Sequence, residues 1–278
     1  SQKTYRANFG EQPYGDITQI DEKYVPDHDI LVGGFPCQAF SQAGLKRGFA
    51  DTRGTLFFDI ARIIKEKRPK ACLMENVKNL LGHDHGNTFA TIRQTLLDMD
   101  YAVYYRILAA KDFGVPQHRE RIYIVCFDKT QVPNWADFEY PVPPKTPTRL
   151  GDILKKNVDP KYTISDRLWA GHQRRRHENA AAGKGFGYSL FNEDSPYANT
   201  ISARYYKDGS EILIEQPRKN PRKLTPREAA RLQGFPDEFI IPLSDTRAYK
   251  QFGNSVSVPV VHAIAEQIIR VLDASGDD

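Results

Sequence analysis

Between Asp16 and about Phe127, short apolar runs alternate with amphipathic stretches, and this constrains the fold more than any other feature of the chain. Asp29 to Val32 reads as a strand. Thr55 to Lys67 repeats Leu56, Ile60, Ile63 and Ile64 on one face at helical spacing, and Pro69 marks its end. Ala71 to Met74 reads as a second strand, and Thr88 to Met99 as a second helix with Phe89, Ile92, Leu96 and Leu97 inward. Ala102 to Leu108 and Ile122 to Phe127 read as two further strands. Strands this apolar are buried on both sides, so the alternation predicts an α/β fold with a mostly parallel sheet covered by helices on both faces.

Beyond Phe127 the pattern changes. The stretch from Pro133 to Pro147 reads as an extended linker, and Leu150 to Arg222 is basic, glycine-bearing and poorly periodic. Helical spacing returns from Pro226 to Gln233 and from Val258 to Leu272. The expected layout is a first domain over 1–145, a smaller basic domain over 146–250, and a segment over 251–278 that returns to the first. The net charge of +4 is too small to name a partner by itself. Three cysteines, odd in number and far apart, suit a reducing compartment. No run approaches the roughly 20 apolar residues of a membrane span, and Ser1 to Tyr5 carries no signal pattern, so no membrane partner is expected.

Three short motifs carry chemistry. Cys37 lies in Gly33-Gly34-Phe35-Pro36-Cys37-Gln38, at the end of the first strand, where open α/β sheets gather reactive groups. Cys72 and Cys126, by contrast, lie inside apolar runs. Glu75-Asn76-Val77 ends the second strand, and a parallel neighbour would bring Glu75 to the same sheet edge as Cys37. Gln117-His118-Arg119-Glu120-Arg121 precedes the last strand and offers two guanidiniums at alternate positions, on one face if extended. His83-Asp84-His85 has no third ligand in view and reads as a surface loop, so no metal is expected.

Pro36-Cys37-Gln38, Glu75-Asn76-Val77, Gln117 to Arg121, Arg227 to Pro236 and Phe252-Gly253-Asn254-Ser255-Val256 together resemble successive motifs of the bacterial DNA (cytosine-5) methyltransferases. Their order and spacing match over essentially the whole chain. Residues 185 to 214 are similar to enzymes of the Dcm type, which implies a short GC-rich palindromic target of the CCWGG kind.

The resemblance implies a Rossmann-like methyltransferase domain with a mixed sheet flanked by helices, and a small, irregular target-recognition domain. It implies methylation of carbon 5 of a flipped-out cytosine in duplex DNA, with S-adenosylmethionine as donor. Cys37 would be the covalent nucleophile: thiolate addition to carbon 6 makes the otherwise inert carbon 5 nucleophilic. Glu75 would engage ring N3, Arg121 the base oxygen, and Arg119 the nucleophile loop; either guanidinium nearby would favour the thiolate. Asp16, Pro36, Leu56, Asn254 and Ser255 would contact the cofactor. Gln38, Ser41, Arg53, Thr200, Arg204 and Tyr205 would contact DNA, with Ser41 to Gly54 closing on the duplex. Double-stranded DNA, a cognate restriction endonuclease system, a monomeric state and the bacterial cytoplasm follow as expectations.

The family begins with a glycine-rich Phe-x-Gly-x-Gly turn, whereas Lys3 to Phe9 resembles the segment just after it. The first βαβ unit is therefore expected to be missing from this chain, as in an excerpt or a protein completed by a second polypeptide, with weak cofactor binding by these residues alone. Two other functions fit less of the sequence: a transfer-RNA cytosine-5 methyltransferase, and a DNA-binding half of a split enzyme.

Overall fold

A computed structural model describes residues 1–37 and 56–275. In chain order the elements are helix α1 (Gln2–Phe9), strand β1 (Ile30–Gly34), helix α2 (Leu56–Lys67), strand β2 (Ala71–Val77), helix α3 (Asn87–Asp98), strands β3 (Tyr101–Ala109) and β4 (Glu120–Asp128), and helix α4 (Asp166–Ala181). Strands β5 (Leu190–Phe191), β6 (Leu213–Gln216) and β7 (Lys219–Arg222) follow, then helices α5 (Pro226–Leu232), α6 (Asp245–Asn254) and α7 (Val258–Ala274). Two compact units result. The four-stranded unit joins Tyr14–Leu108, Glu120–Val142 and His262–Asp278; the three-stranded unit joins Ser1–Pro13, Ala109–Arg119 and Pro143–Val261.

In the four-stranded unit the sheet order is β1-β2-β4-β3. The central strands β2 and β4 are flanked on both sides, which explains why Ala71 to Met74 and Ile122 to Asp128 are buried without alternation. Helix α2 buries Phe57, Ile60, Ala61, Ile63 and Ile64. Its Arg62 pairs with Glu22 at 2.6 Å and Asp59 at 3.0 Å, tying the turns after Asp16 to the helix. The sheet is mixed: β1 and β2 run parallel, β2 and β4 antiparallel. The expectation of a mostly parallel sheet is corrected here. An amphipathic helix separates β1 from β2, as a parallel crossover requires, but only one short 3₁₀ turn, Ala110–Phe113, separates β3 from β4.

The three-stranded unit has the order β5-β6-β7 and its own core of Leu150, Ile201, Tyr205, Leu224, Leu232, Tyr249 and Phe252. Its helix α4 is capped by Ser165, whose hydroxyl accepts from Leu168 N at 3.3 Å, and buries only His172. A helix so polar has no apolar stripe to reveal it. The C-terminal region also departs from expectation. Asp245–Ala274 contains an 18-residue window of mean hydropathy 1.3, long and apolar enough by length and composition to cross a membrane. Polar residues interspersed along it keep every uninterrupted apolar run short. Within it, Val260, Ile264, Ile268 and Val271 are buried at helical spacing, the pattern of a helix packed on a core.

Candidate active site

In the four-stranded unit, the parallel register pairs Gly34 of β1 with Glu75 of β2. Beyond the last pair, the Asn76 amide continues the join: Nδ2 donates to Phe35 O at 2.8 Å, while Oδ1 accepts from Val77 N at 2.8 Å. The turn bearing Cys37 therefore leaves β1 at the edge where Glu75 stands. A Cβ built on Gly34 would lie 3.8 Å from Glu75 Oε2, so the carboxyl leans over that strand end.

Antiparallel pairing of β2 and β4 sets Glu75 opposite Tyr123 and Val77 opposite Arg121. Glu75 and Arg121 are thus diagonal neighbours on one face, within reach of long side chains. Arg121 Nε lies 3.0 Å from Glu75 Oε1, with both side chains mostly buried. Cys37 is half-buried against the core, and that burial pushes its thiol above the usual thiol range. A thiol held as anion by an adjacent guanidinium was expected; in this conformation Arg121 is turned to Glu75, and burial dominates at Cys37.

Strand β4 begins at Glu120, so Arg119 precedes it and alternation does not apply. Arg119, 3% exposed, donates to Ile201 O at 3.3 Å, Gly253 O at 3.3 Å and Ser255 O at 2.7 Å within the three-stranded unit. Asp16 caps a turn, accepting from Thr18 N at 3.0 Å and Thr18 Oγ1 at 2.8 Å, and these bonds hold its carboxyl below the usual range. Pro36 is exposed beside Cys37, and Leu56 opens α2 half-buried against the core.

Asn254 and Ser255, at the end of α6, line a cavity of about 590 Å³ with Thr4, Tyr5, Phe9, Phe235, Phe239 and Phe252. Close behind it lies a buried amide pair that sequence reasoning quoted within motifs but gave no role. Gln117 Nε2 donates to Gln233 Oε1 at 2.8 Å and Leu232 O at 3.0 Å, and its Oε1 accepts from Ile201 N at 3.0 Å. Gln233 Nε2 reaches Phe252 O at 2.6 Å. Gly253 completes the join, since a Cβ there would fall 2.3 Å from Ser202 C and Ala203 N.

Thr200 donates its hydroxyl to His118 O at 2.7 Å, and Arg204 is exposed. Gln38, Ser41 and Arg53, with the rest of Ser41 to Gly54, lie outside the described residues. Tyr205 is a correction. It is fully buried, its hydroxyl donates to Ile212 O at 2.6 Å and accepts from Leu224 N at 2.8 Å, and its ring packs edge-on against Tyr249. Such a ring is a core post and not a DNA contact. Tyr205→Phe is expected to cost about 1–3 kcal/mol of stability by leaving the Leu224 amide unpaired. Chemical denaturation measures that loss; a fall in DNA affinity at unchanged stability would restore the residue to the DNA surface.

A profile of the family described as C-5 cytosine-specific DNA methylase matches residues 1–270. The Type II methyltransferase M.SsoII of Shigella sonnei is 73% identical over 274 residues, covering 99% of this chain and 72% of that protein. The Type II methyltransferase M1.ScrFI of Lactococcus lactis subsp. cremoris is 70% identical over 273 residues, covering 98% and 70%. Among solved structures, the Entamoeba histolytica methyltransferase EhMeth is similar with a TM-score of 0.74 at 20% identity, covering 98% of this chain and 87% of that one, a likeness of fold alone.

Proposed function

The chain belongs to the C-5 cytosine-specific DNA methylase family, and from that premise we propose that Cys37, Glu75 and Arg121 are its reacting and base-holding groups. The observation that carries this reading is the Gly34–Glu75 register, which brings the thiol-bearing turn and the carboxyl to one sheet edge. Cys37 Sγ forms a bond to carbon 6 of the flipped cytosine. Glu75, protonated on the oxygen that does not face Arg121, donates to N3, drawing ring electron density away from carbon 6 and easing attack. Arg121 holds Glu75 in that orientation and offers its guanidinium to the base oxygen. Burial raises the thiol pKa of Cys37, so the addition includes transfer of the thiol proton to water as the sulfur bonds to carbon 6 and the C5–C6 π pair moves toward carbon 5. Flipping costs a few kcal/mol, which phosphate and base-edge contacts offset.

The methyl donor is S-adenosylmethionine, which when bound supplies an electrophilic methyl group. The cavity at Asn254 and Ser255 fits part of such a molecule: about 590 Å³ lies within the usual range for small ligands, and its lining combines aromatic rings with polar side chains. We assign Asn254 and Ser255 to cofactor contact on that basis, and Asp16, Pro36 and Leu56 on the resemblance of their motifs. Arg119 fastens its own unit through three carbonyl partners, and on the resemblance it is also proposed to help position the nucleophile loop. Gln38, Ser41, Arg53, Thr200 and Arg204 remain the proposed DNA contacts.

The names of its relatives support a Type II methyltransferase, and the family description supports DNA as substrate; pairing with a restriction endonuclease, a monomeric state and the bacterial cytoplasm are proposed on the family resemblance. The family description favours DNA over transfer RNA. The recognition region over 185–214 supports a CCWGG-like target. The test is incubation of the full-length protein with S-adenosylmethionine and unmethylated plasmid, followed by bisulfite sequencing. The expected result is 5-methylcytosine at one short palindrome; methyl groups appearing only in RNA would sink the reading.

A further inference from the structure

Within the three-stranded unit, two segments of the proposed recognition region are fastened from behind by one helix. Arg175 of α4 reaches both: Nη1 pairs with Asp208 Oδ2 at 3.2 Å, and Nη2 donates to Gly187 O at 3.0 Å and to His172 Nδ1 at 2.8 Å. His172 is 1% exposed and donates from its other ring nitrogen to Asp208 O at 3.2 Å. A guanidinium can only donate, so Nδ1 accepts and the proton sits on Nε2 of a neutral ring. The first segment is seated closely, since a Cβ on Gly187 would fall 2.5 Å from Arg176 Cα. Tyr188, next to it, packs under Arg176 at 4.7 Å and edge-on to Trp169 at 4.8 Å.

We propose that Arg175 and His172 are positioning residues for sequence specificity, holding the segment around Gly187 and the segment from Thr200 to Asp208 at one fixed separation. The proposal rests on reading residues 185–214 as the recognition region. Phosphate contacts tolerate small shifts and supply most of the affinity, whereas base-edge hydrogen bonds fail with small displacements and supply the discrimination. Slack between two reading segments therefore relaxes the choice of site before it weakens binding. Neither side chain need touch DNA for this.

The test compares the full-length parent with Arg175→Ala, Arg175→Lys and Asp208→Asn on a duplex library randomised at its centre, read by bisulfite sequencing alongside thermal melting. For Arg175→Ala, the rate ratio between the parent's site and sites with one altered base pair is expected to fall by roughly tenfold, the scale of one lost base-pair preference. The rate at the parent's own site should fall less. Arg175→Lys should lie between, because one ammonium cannot span three diverging acceptors. Should Arg175→Ala not fold, the other two variants test the proposal through the same measurement, each expected to lower the ratio by less than tenfold. An unchanged ratio, or parallel losses at all sites that follow the melting temperature, overturns the proposal. A parent that makes no 5-methylcytosine removes the functional reading and this inference with it; a sharp parental site with unaltered variant ratios removes this inference alone.

Discussion

Cys37→Ala is expected to reduce methyl transfer to duplex DNA to background, a loss of roughly 10⁴- to 10⁶-fold on the scale of deleting a covalent nucleophile. No other described group stands in for it: Cys72 and Cys126 are fully buried within β2 and β4, and burial holds their thiols far above the usual range. Glu75→Gln should cost less, about 10²- to 10⁴-fold, because it weakens polarisation of the ring but leaves the nucleophile. That ordering separates the two roles. A duplex carrying 5-fluorocytosine should trap the parent as a denaturation-resistant adduct and fail to trap the alanine variant. Alkylation of Cys37 in the free protein should speed up as pH rises, since a thiol with raised pKa becomes anionic only on the alkaline side. Parental turnover by the alanine variant would remove position 37 from the mechanism altogether.

What was legible in the sequence followed from patterns with one physical solution. Apolar runs at Ile30 and Ala71, separated by one amphipathic helix, leave little choice but parallel neighbours, and so Cys37 and Glu75 meet at one edge. The Arg121–Glu75 pair was less visible, because it depends on β4 running antiparallel to β2, which the strand pattern does not encode. Arg119 and Arg121 look equivalent in sequence; a strand starting between them sends one inward to carbonyls. Tyr205 sits in a basic, glycine-bearing stretch and so reads as surface, yet its hydroxyl meets two backbone groups that only the tertiary fold brings together. Gln117 and Gln233 carry no periodic signal, and their mutual bond spans more than a hundred residues.

Glu228→Ala should be among the most destabilising single changes in the three-stranded unit, at about 3–5 kcal/mol. Glu228 is fully buried at the start of α5 and accepts from four donors. Arg222 binds it through two nitrogens at 2.8 and 2.9 Å, and the amides of Thr225 and Lys155 each reach it at 2.7 Å. Glu228 N in turn donates to Thr225 Oγ1 at 3.1 Å, closing a capping box. Truncation leaves the nearly buried Arg222 guanidinium without its counter-charge and strands two amides together, which is why the cost exceeds that of any one bond. Replacing both charges, as in Arg222→Met with Glu228→Leu, should recover part of the loss, because no buried cation then remains. The two amides stay unpaired in that double variant, so recovery is incomplete. Urea denaturation of the parent, each single variant and the pair closes the cycle. A penalty for Glu228→Ala below about 1 kcal/mol would show that water or local rearrangement satisfies Arg222, and that this cluster is not what anchors α5.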